Sequence, residues 1–176
     1  MRYIRRVQAI LIPFLLACAP MPAPQPSWTF APGAVHIRYR ADARLNEYNG
    51  GAHTVVMAVY QTTVPDPFAD MTKTEDGLRA LLEVKRFDPS VVALDRVIVQ
   101  PGETNTVTVD RAESARWVCI VIGYYNLVPG QVSRTFEVPF TVEQRGTFRK
   151  RKIARVSMLD IELILGPRSL ATVGNN

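Results

Sequence analysis

Few residues in this chain have the type and setting to do chemistry, and Cys18 is the clearest of them. It closes the run Leu15-Leu16-Ala17-Cys18 at the end of a short apolar segment preceded by Arg2, Arg5 and Arg6. The basic start holds the N-terminus in the cytoplasm. The stretch from Val7 to Leu16, interrupted by Pro13, is too short to persist as a membrane-spanning helix. A small residue ahead of the thiol suits a signal peptidase that cuts once the sulfur carries a diacylglyceryl group, leaving Cys18 as an acylated first residue. A secretory signal with a chance cysteine is the plainer alternative. More than one acyl chain, at about 0.8 kcal/mol per buried CH₂, would make a stable anchor. Ala19 is not the aspartate that retains such proteins in the inner membrane, so the expected location is the outer membrane, on its periplasmic face.

The other candidates point away from catalysis. If Cys18 carries lipid, Cys119 has no partner within the chain, and the apolar run Trp117-Val118-Cys119-Ile120-Val121-Ile122 favours a buried free thiol. His36 and His53 are the only histidines. Neither has metal-ligand spacing or a nucleophile motif, and both are expected to be solvated structural residues. Asp160 and Glu162 share one face of a strand and could mimic a carboxylate pair, yet alternating acids are also the wet face of a sandwich strand. No glycine-rich phosphate loop precedes a helix. The expectation is no enzyme, no metal, and no cofactor besides the lipid at Cys18.

The formal charge of +5 includes the three signal arginines, so the mature chain would carry about +2, too little to argue for nucleic acid. The charge is locally concentrated in Arg145, Arg149, Lys150, Arg151 and Lys152. A solvated loop is the simple reading. The sharper one makes Arg149, Lys150, Arg151 and Lys152 a secondary contact for an acidic partner surface or anionic head groups, with the protein surface the better of the two if a spacer holds the body off the bilayer. The segment Asn46-Glu47-Tyr48-Asn49-Gly50 has the composition of an adaptable binding loop, in which tyrosine supplies contact area at low entropic cost. The alternative is a tyrosine folded back over a hairpin supported by Gly50-Gly51.

The elements that must position these residues follow from periodicity. Prolines alternate from Pro20 to Pro26, favouring extended polyproline II and a spacer of roughly 25 Å. Val35, Ile37, Tyr39 and Ala41 alternate with polar residues as in a half-buried strand. Thr54 to Gln61 is apolar on both faces and should be a covered central strand. Arg96 to Val99 leads into the turn Pro101-Gly102, and Thr106 to Val109 follows. Trp117 to Tyr125 is the strongest apolar run. Phe136, Val138, Phe140 and Val142 read as one further strand, placed at an edge by Pro139. Leu159, Ile161, Leu163 and Leu165 form the last, ended by Gly166-Pro167. Thr72-Lys73-Thr74-Glu75 fits a capping box ahead of Leu78, Leu81 and Leu82, predicting a short helix between the second and third strands. The fold class is therefore all-β, an antiparallel two-sheet sandwich with a short helical insertion. The expected organisation is a signal at 1–17, a lipidated N-terminus and Pro-rich spacer at 18–33, the sandwich at 34–170 and a tail at 171–176.

The order of these pieces resembles the type VI secretion lipoprotein family (TssJ, VasD or SciN). The residues that carry it are the lipobox, a first strand ending near Leu45-Asn46, Val59-Tyr60-Gln61, a Phe68-containing helical piece, Pro101-Gly102-Glu103, and Ala115 to Tyr125. Thr62 departs from the family's usual Leu, and Val128 to Lys152 is longer and more basic than its pattern. The resemblance implies a transthyretin-like sandwich facing the periplasm and a partner, the periplasmic part of the large inner-membrane subunit TssM. It also implicates the loop between the first two strands, here Leu45 to Gly51, in that contact. A ligand carrier or pilotin-like chaperone on the same sandwich is the rival expectation, and a periplasmic hydrolase a distant third.

Overall fold

The computed structural model describes residues 24–146 and 151–175. In chain order the elements are β1 (Ala31–Ala41), β2 (Val55–Thr62), α1 (Asp66–Met71), α2 (Glu75–Leu81), β3 (Val91–Val99), β4 (Thr104–Arg111), β5 (Trp117–Ile122), β6 (Ser133–Glu137), β7 (Phe140–Arg145), β8 (Arg151–Val156), β9 (Leu159–Leu165) and β10 (Leu170–Asn175). One sheet runs β10-β9-β1-β4, a second β3-β2-β5-β6, and β7 and β8 pair only with each other.

The alternation in β1 is realised as read: Val35, Ile37, Tyr39 and Ala41 are buried, and His36, Arg38 and Arg40 point outward. Strand β9 does the same with Leu159, Ile161, Leu163 and Leu165. Strand β2 is apolar on both faces because both are covered. The Gln61 side chain donates to the Asp110 carbonyl of β4 at 2.8 Å, across the sandwich. Tyr60, on the opposite face, donates to the Leu81 carbonyl of α2 and packs its ring against Phe68 and Phe87.

Several sequence expectations need correction. The sandwich is not wholly antiparallel, since β1 pairs parallel with β9, a partner more than a hundred residues away that local pattern could not reveal. The helical insertion is two short helices, and its cap is Thr74, not Thr72. Thr74 Oγ1 accepts from the Gly77 N–H at 3.1 Å, while Thr72 closes α1 and donates to the Ala69 carbonyl at 2.8 Å. The run Phe136 to Val142 is two strands. Pro139 lacks the N–H needed to extend the ladder, and beyond it the chain leaves β6, at the sheet's edge, to form the separate β7–β8 hairpin with Phe140 and Val142 exposed. Gly166-Pro167 is a turn rather than a stop, because Leu170–Asn175 adds β10 to β9 where a tail was expected. The expected spacer at 18–33 also ends early: Pro26 is buried, the Trp28 carbonyl accepts from Ser114 N–H at 2.7 Å, and the Thr29 carbonyl accepts from buried Arg111 at 2.8 Å.

Gly77 explains why the two helices can meet. A Cβ there would lie 2.0 Å from the Met71 carbonyl oxygen. In an open helix Gly→Ala is favourable by about 1 kcal/mol; here overpacking should reverse the sign. Gly77→Ala is expected to destabilise the fold by about 1 to 3 kcal/mol, read as a lower urea midpoint.

Cys119 is a free cysteine with no exposed surface, its Sγ 3.8 Å from Thr62 Oγ1. Burial pushes its pKa up to about 11, so the thiolate is scarce at neutral pH. The native protein should resist thiol reagents until unfolded, and Cys119→Ala should cost about 1 to 2 kcal/mol.

Candidate docking surface

The connection from β1 to β2 crosses between the sheets and is held by its own backbone. The Asp42 N–H donates to the Leu165 carbonyl at 2.8 Å, and the Asp42 carboxylate accepts from the Arg44 N–H at 2.8 Å, opening the loop as an Asx turn. Leu45 is fully buried and plugs this end of the core. The chain then reverses at Tyr48-Asn49-Gly50-Gly51, where Tyr48 and Gly51 exchange two backbone hydrogen bonds of 2.9 and 3.0 Å. Asn49 (φ +50°) and Gly50 (φ +77°) are both left-handed, the requirement of a two-residue type I′ hairpin turn and the reason for Asn-Gly here. The turn's centre is thus Asn49-Gly50, with Gly51 closing it.

The candidate residues divide by role. Tyr48, Asn49 and Gly50 are exposed, and Glu47 is half-buried with its N–H donating to the Pro167 carbonyl at 2.8 Å. Asn46 lies beneath this surface and not on it. It is 9% exposed with φ +51°, its Oδ1 accepts from the Tyr125 N–H at 2.6 Å, and its Nδ2 donates to the Thr54 carbonyl at 3.4 Å. Its own carbonyl lies 3.3 Å from His53 Nδ1. Short polar side chains tolerate this conformation because they hydrogen-bond locally, and Asn46 uses that capacity to tie two loops together.

Through Asn46 the structure brings in a residue that sequence alone does not single out. Tyr125, in the β5–β6 connection, stacks on Tyr48 with ring centroids 3.5 Å apart and planes inclined by 20°. The Tyr48 hydroxyl beside it holds the Tyr125 phenol above its ordinary range. Tyr48 is therefore folded onto a neighbour, yet the pair stays open to solvent, at 39% and 59% exposure. Tyr124 turns inward and donates to the carbonyls of Gly166 (3.1 Å) and Ser169 (2.9 Å), fastening the β9–β10 turn to the same end. Three loops thus form one surface around an exposed aromatic pair. The available signal was Gly123-Tyr124-Tyr125 at the end of the most apolar strand.

The remaining candidates lie elsewhere. Cys18, Arg149 and Lys150 fall outside the described residues. Arg151 and Lys152 are exposed on β8, opposite Arg145 and Gln144. On the outer face of the β1–β9 pair, Asp160 lies 3.1 Å from His36 Nδ1 and 3.7 Å from Arg38, which also reaches Glu162 at 3.3 Å. That is a cross-strand charge ladder rather than a carboxylate pair awaiting substrate. Among the described residues no group of His, Cys, Asp and Glu could hold a metal ion.

Comparison with known proteins bears on the whole sandwich. No curated protein matches the sequence. Among solved structures the fold is similar to the T6SS lipoprotein TssJ1 from Pseudomonas aeruginosa, at 18% identity and TM-score 0.58, covering 82% of this chain and 97% of that one. It is similar also to Serratia marcescens Lip, a membrane bound component of the type VI secretion system, at 15% identity and TM-score 0.54, covering 78% and 94%. A chain in the structure of the T6SS protein TssM C-terminal domain (869–1107) from EAEC matches at 15% identity and TM-score 0.57, covering 80% and 96%. The family model for the type VI secretion lipoprotein (VasD, EvfM, TssJ) matches residues 33–156, from within β1 through β8, and the chain belongs to that family.

Proposed function

We propose that this protein is an outer-membrane lipoprotein, acylated at Cys18, that holds the periplasmic part of the large inner-membrane subunit TssM within the type VI secretion membrane complex. It works by binding and anchoring, not by catalysis. The observation that carries the reading is the stacked, solvent-open Tyr48–Tyr125 pair on a surface fastened from three loops. Aromatic side chains placed rigidly in this way are the groups that dominate protein interfaces. Exposed loops on a rigid scaffold also carry function without disturbing the core. The match of the fold to a chain in a type VI membrane complex supports the setting, at TM-score 0.52.

The carrier reading finds no support in the geometry. The sandwich interior is filled by side chains such as Ile37, Met57, Ile120 and Ile161, at no more than 1% exposure. The groove of about 490 Å³ between the edges of β3 and β4 is open to solvent and lined in part by Asp95, Asp110 and Glu113.

The test is co-purification from detergent-solubilised envelopes of the native host. A large inner-membrane protein should accompany the parent, and its absence would count against docking. Cys18→Ser should release the protein from outer-membrane fractions, and intact-mass analysis of the parent should give a lipidated N-terminus at Cys18. An unlipidated soluble parent would sink the anchor.

A further inference from the structure

The β7–β8 hairpin is not needed to complete either sheet. It pairs with neither, and it is joined at its base by a hydrogen bond from the Ser157 N–H to the Pro139 carbonyl at 2.8 Å. Directly opposed residues share a face, so Phe140 and Val156, then Val142 and Ala154, form an apolar strip along one side. Phe140 and Val142 are 42% and 46% exposed. Further out the hairpin turns basic. Lys152, opposite Gln144, continues the face of the strip, while Arg145 and Arg151 stand directly opposite each other on the reverse face. Like charges opposed across a strand pair are unfavourable. Among the described residues the hairpin's one ion pair is Arg155 with Glu143 at 3.7 Å, which leaves Arg145, Arg151 and Lys152 uncompensated. An apolar strip that ends in Lys152, with the Arg145–Arg151 pair at the same outer end on the reverse face, suits a surface that is both anionic and oily.

The path of the N-terminal segment says which surface is near. Trp28 packs edge-on against Phe140, at 6.2 Å between centroids, and Arg116 caps its ring at 5.7 Å. Trp28, ten residues after Cys18, is therefore fixed beside the base of the hairpin. From buried Pro26 back to Cys18 is eight residues, at most about 25 Å in polyproline II. Each hairpin strand has six residues and spans about 20 Å. Tether and hairpin are of matching reach.

We infer that the β7–β8 hairpin is a second membrane contact, which lays the exposed parts of Phe140 and Val142 into the interface of an anionic lipid surface, with Lys152 among the head groups on the same face and the long Arg145 and Arg151 side chains reaching them from the hairpin's outer end. This rests on acylation at Cys18, which brings that surface within reach, and it fixes the orientation of the sandwich relative to the bilayer where a single flexible anchor would not. Cations that contact head groups are screened by salt, while the apolar strip is not.

The full mature lipoprotein carrying Val142→Cys offers one reactive thiol, since Cys119 is buried and Cys18 acylated. Labelled there with an environment-sensitive fluorophore and reconstituted into vesicles, it should give blue-shifted emission when phosphatidylglycerol is added to phosphatidylethanolamine and not with phosphatidylethanolamine alone. The shift should fall in high salt and in Arg151→Glu combined with Lys152→Glu, whose thermal melt should match the parent. Protein that floats with both kinds of vesicle but shows no shift in either, or the same shift in both, overturns the hairpin contact and leaves the basic strand to a protein partner. Protein that floats with neither overturns the acylation itself, and the inference with it.

Discussion

Replacing Tyr48 and Tyr125 together by alanine should weaken binding of the TssM periplasmic domain by at least about 2 kcal/mol, roughly thirtyfold in Kd, with little change in thermal stability. The separation of the two effects follows from where the rings sit. Both are exposed and stacked only on each other, so the fold loses at most the roughly 0.5 to 1.5 kcal/mol of an aromatic pair, and less in water. The interface would lose two rigid rings that each hold the other in place. Either single variant should therefore forfeit much of the double variant's loss, because residues in contact are not additive. Glu47→Ala should add little beside them. Neutralising Arg151 and Lys152 should act on association rate and salt dependence if they touch the partner at all, as rim charges do. Calorimetric titration alongside thermal melts separates these outcomes, and a double variant that binds like the parent would place the docking surface elsewhere.

Asn46→Ala should have the opposite signature, with a stability loss of about 3 kcal/mol and weakened docking as a consequence. Alanine at φ +51° meets a left-handed penalty of about 1 to 2 kcal/mol. The Tyr125 N–H and Thr54 carbonyl would lose their side-chain partners in a half-buried setting, at about 1 to 3 kcal/mol for each group left buried and unsatisfied. Asn46→Gly should relieve the backbone but not the lost bonds, and so fall between alanine and the parent. Asn46→Asp keeps the acceptor for Tyr125 and should be milder than alanine. Urea unfolding checks the order; if alanine and glycine cost the same, the backbone contributes nothing.

Much of the fold was written in local pattern. Period-2 alternation in Val35 to Ala41 and in Leu159 to Leu165 named two buried faces correctly, and the continuous apolar run of β2 named a strand covered on both sides. What escaped was decided by distant contacts. The parallel pairing of β1 with β9 has no local signature, and neither does the departure of β7 from β6. Phe136, Val138, Phe140 and Val142 keep perfect alternation, while Val138 is buried and Phe140 exposed. The composition of the loop proposed for docking was legible, but its buried and exposed halves were not told apart. Asn46 and Asn49 are the same residue type three positions apart with nearly equal positive φ; only burial separates a residue that builds the loop from one that presents it. Tyr125 escaped because its role exists only through Tyr48.

The placement of β1 determines where tension would run. Its first residue follows the segment that leads back toward Cys18, and its last opens into the loop that carries Tyr48, so the proposed anchor and half of the proposed aromatic contact attach at the two ends of one eleven-residue strand. A pull between the membrane and a docked subunit would then be carried largely along that strand's covalent backbone. The hydrogen bonds to β4 and β9, which clamp it on both edges, would be loaded in parallel as a brace rather than one after another as a zipper. An edge strand under the same pull would have had this brace on one side only. A lipoprotein that acts as a mechanical link can in this way keep most of its sheets out of the line of force.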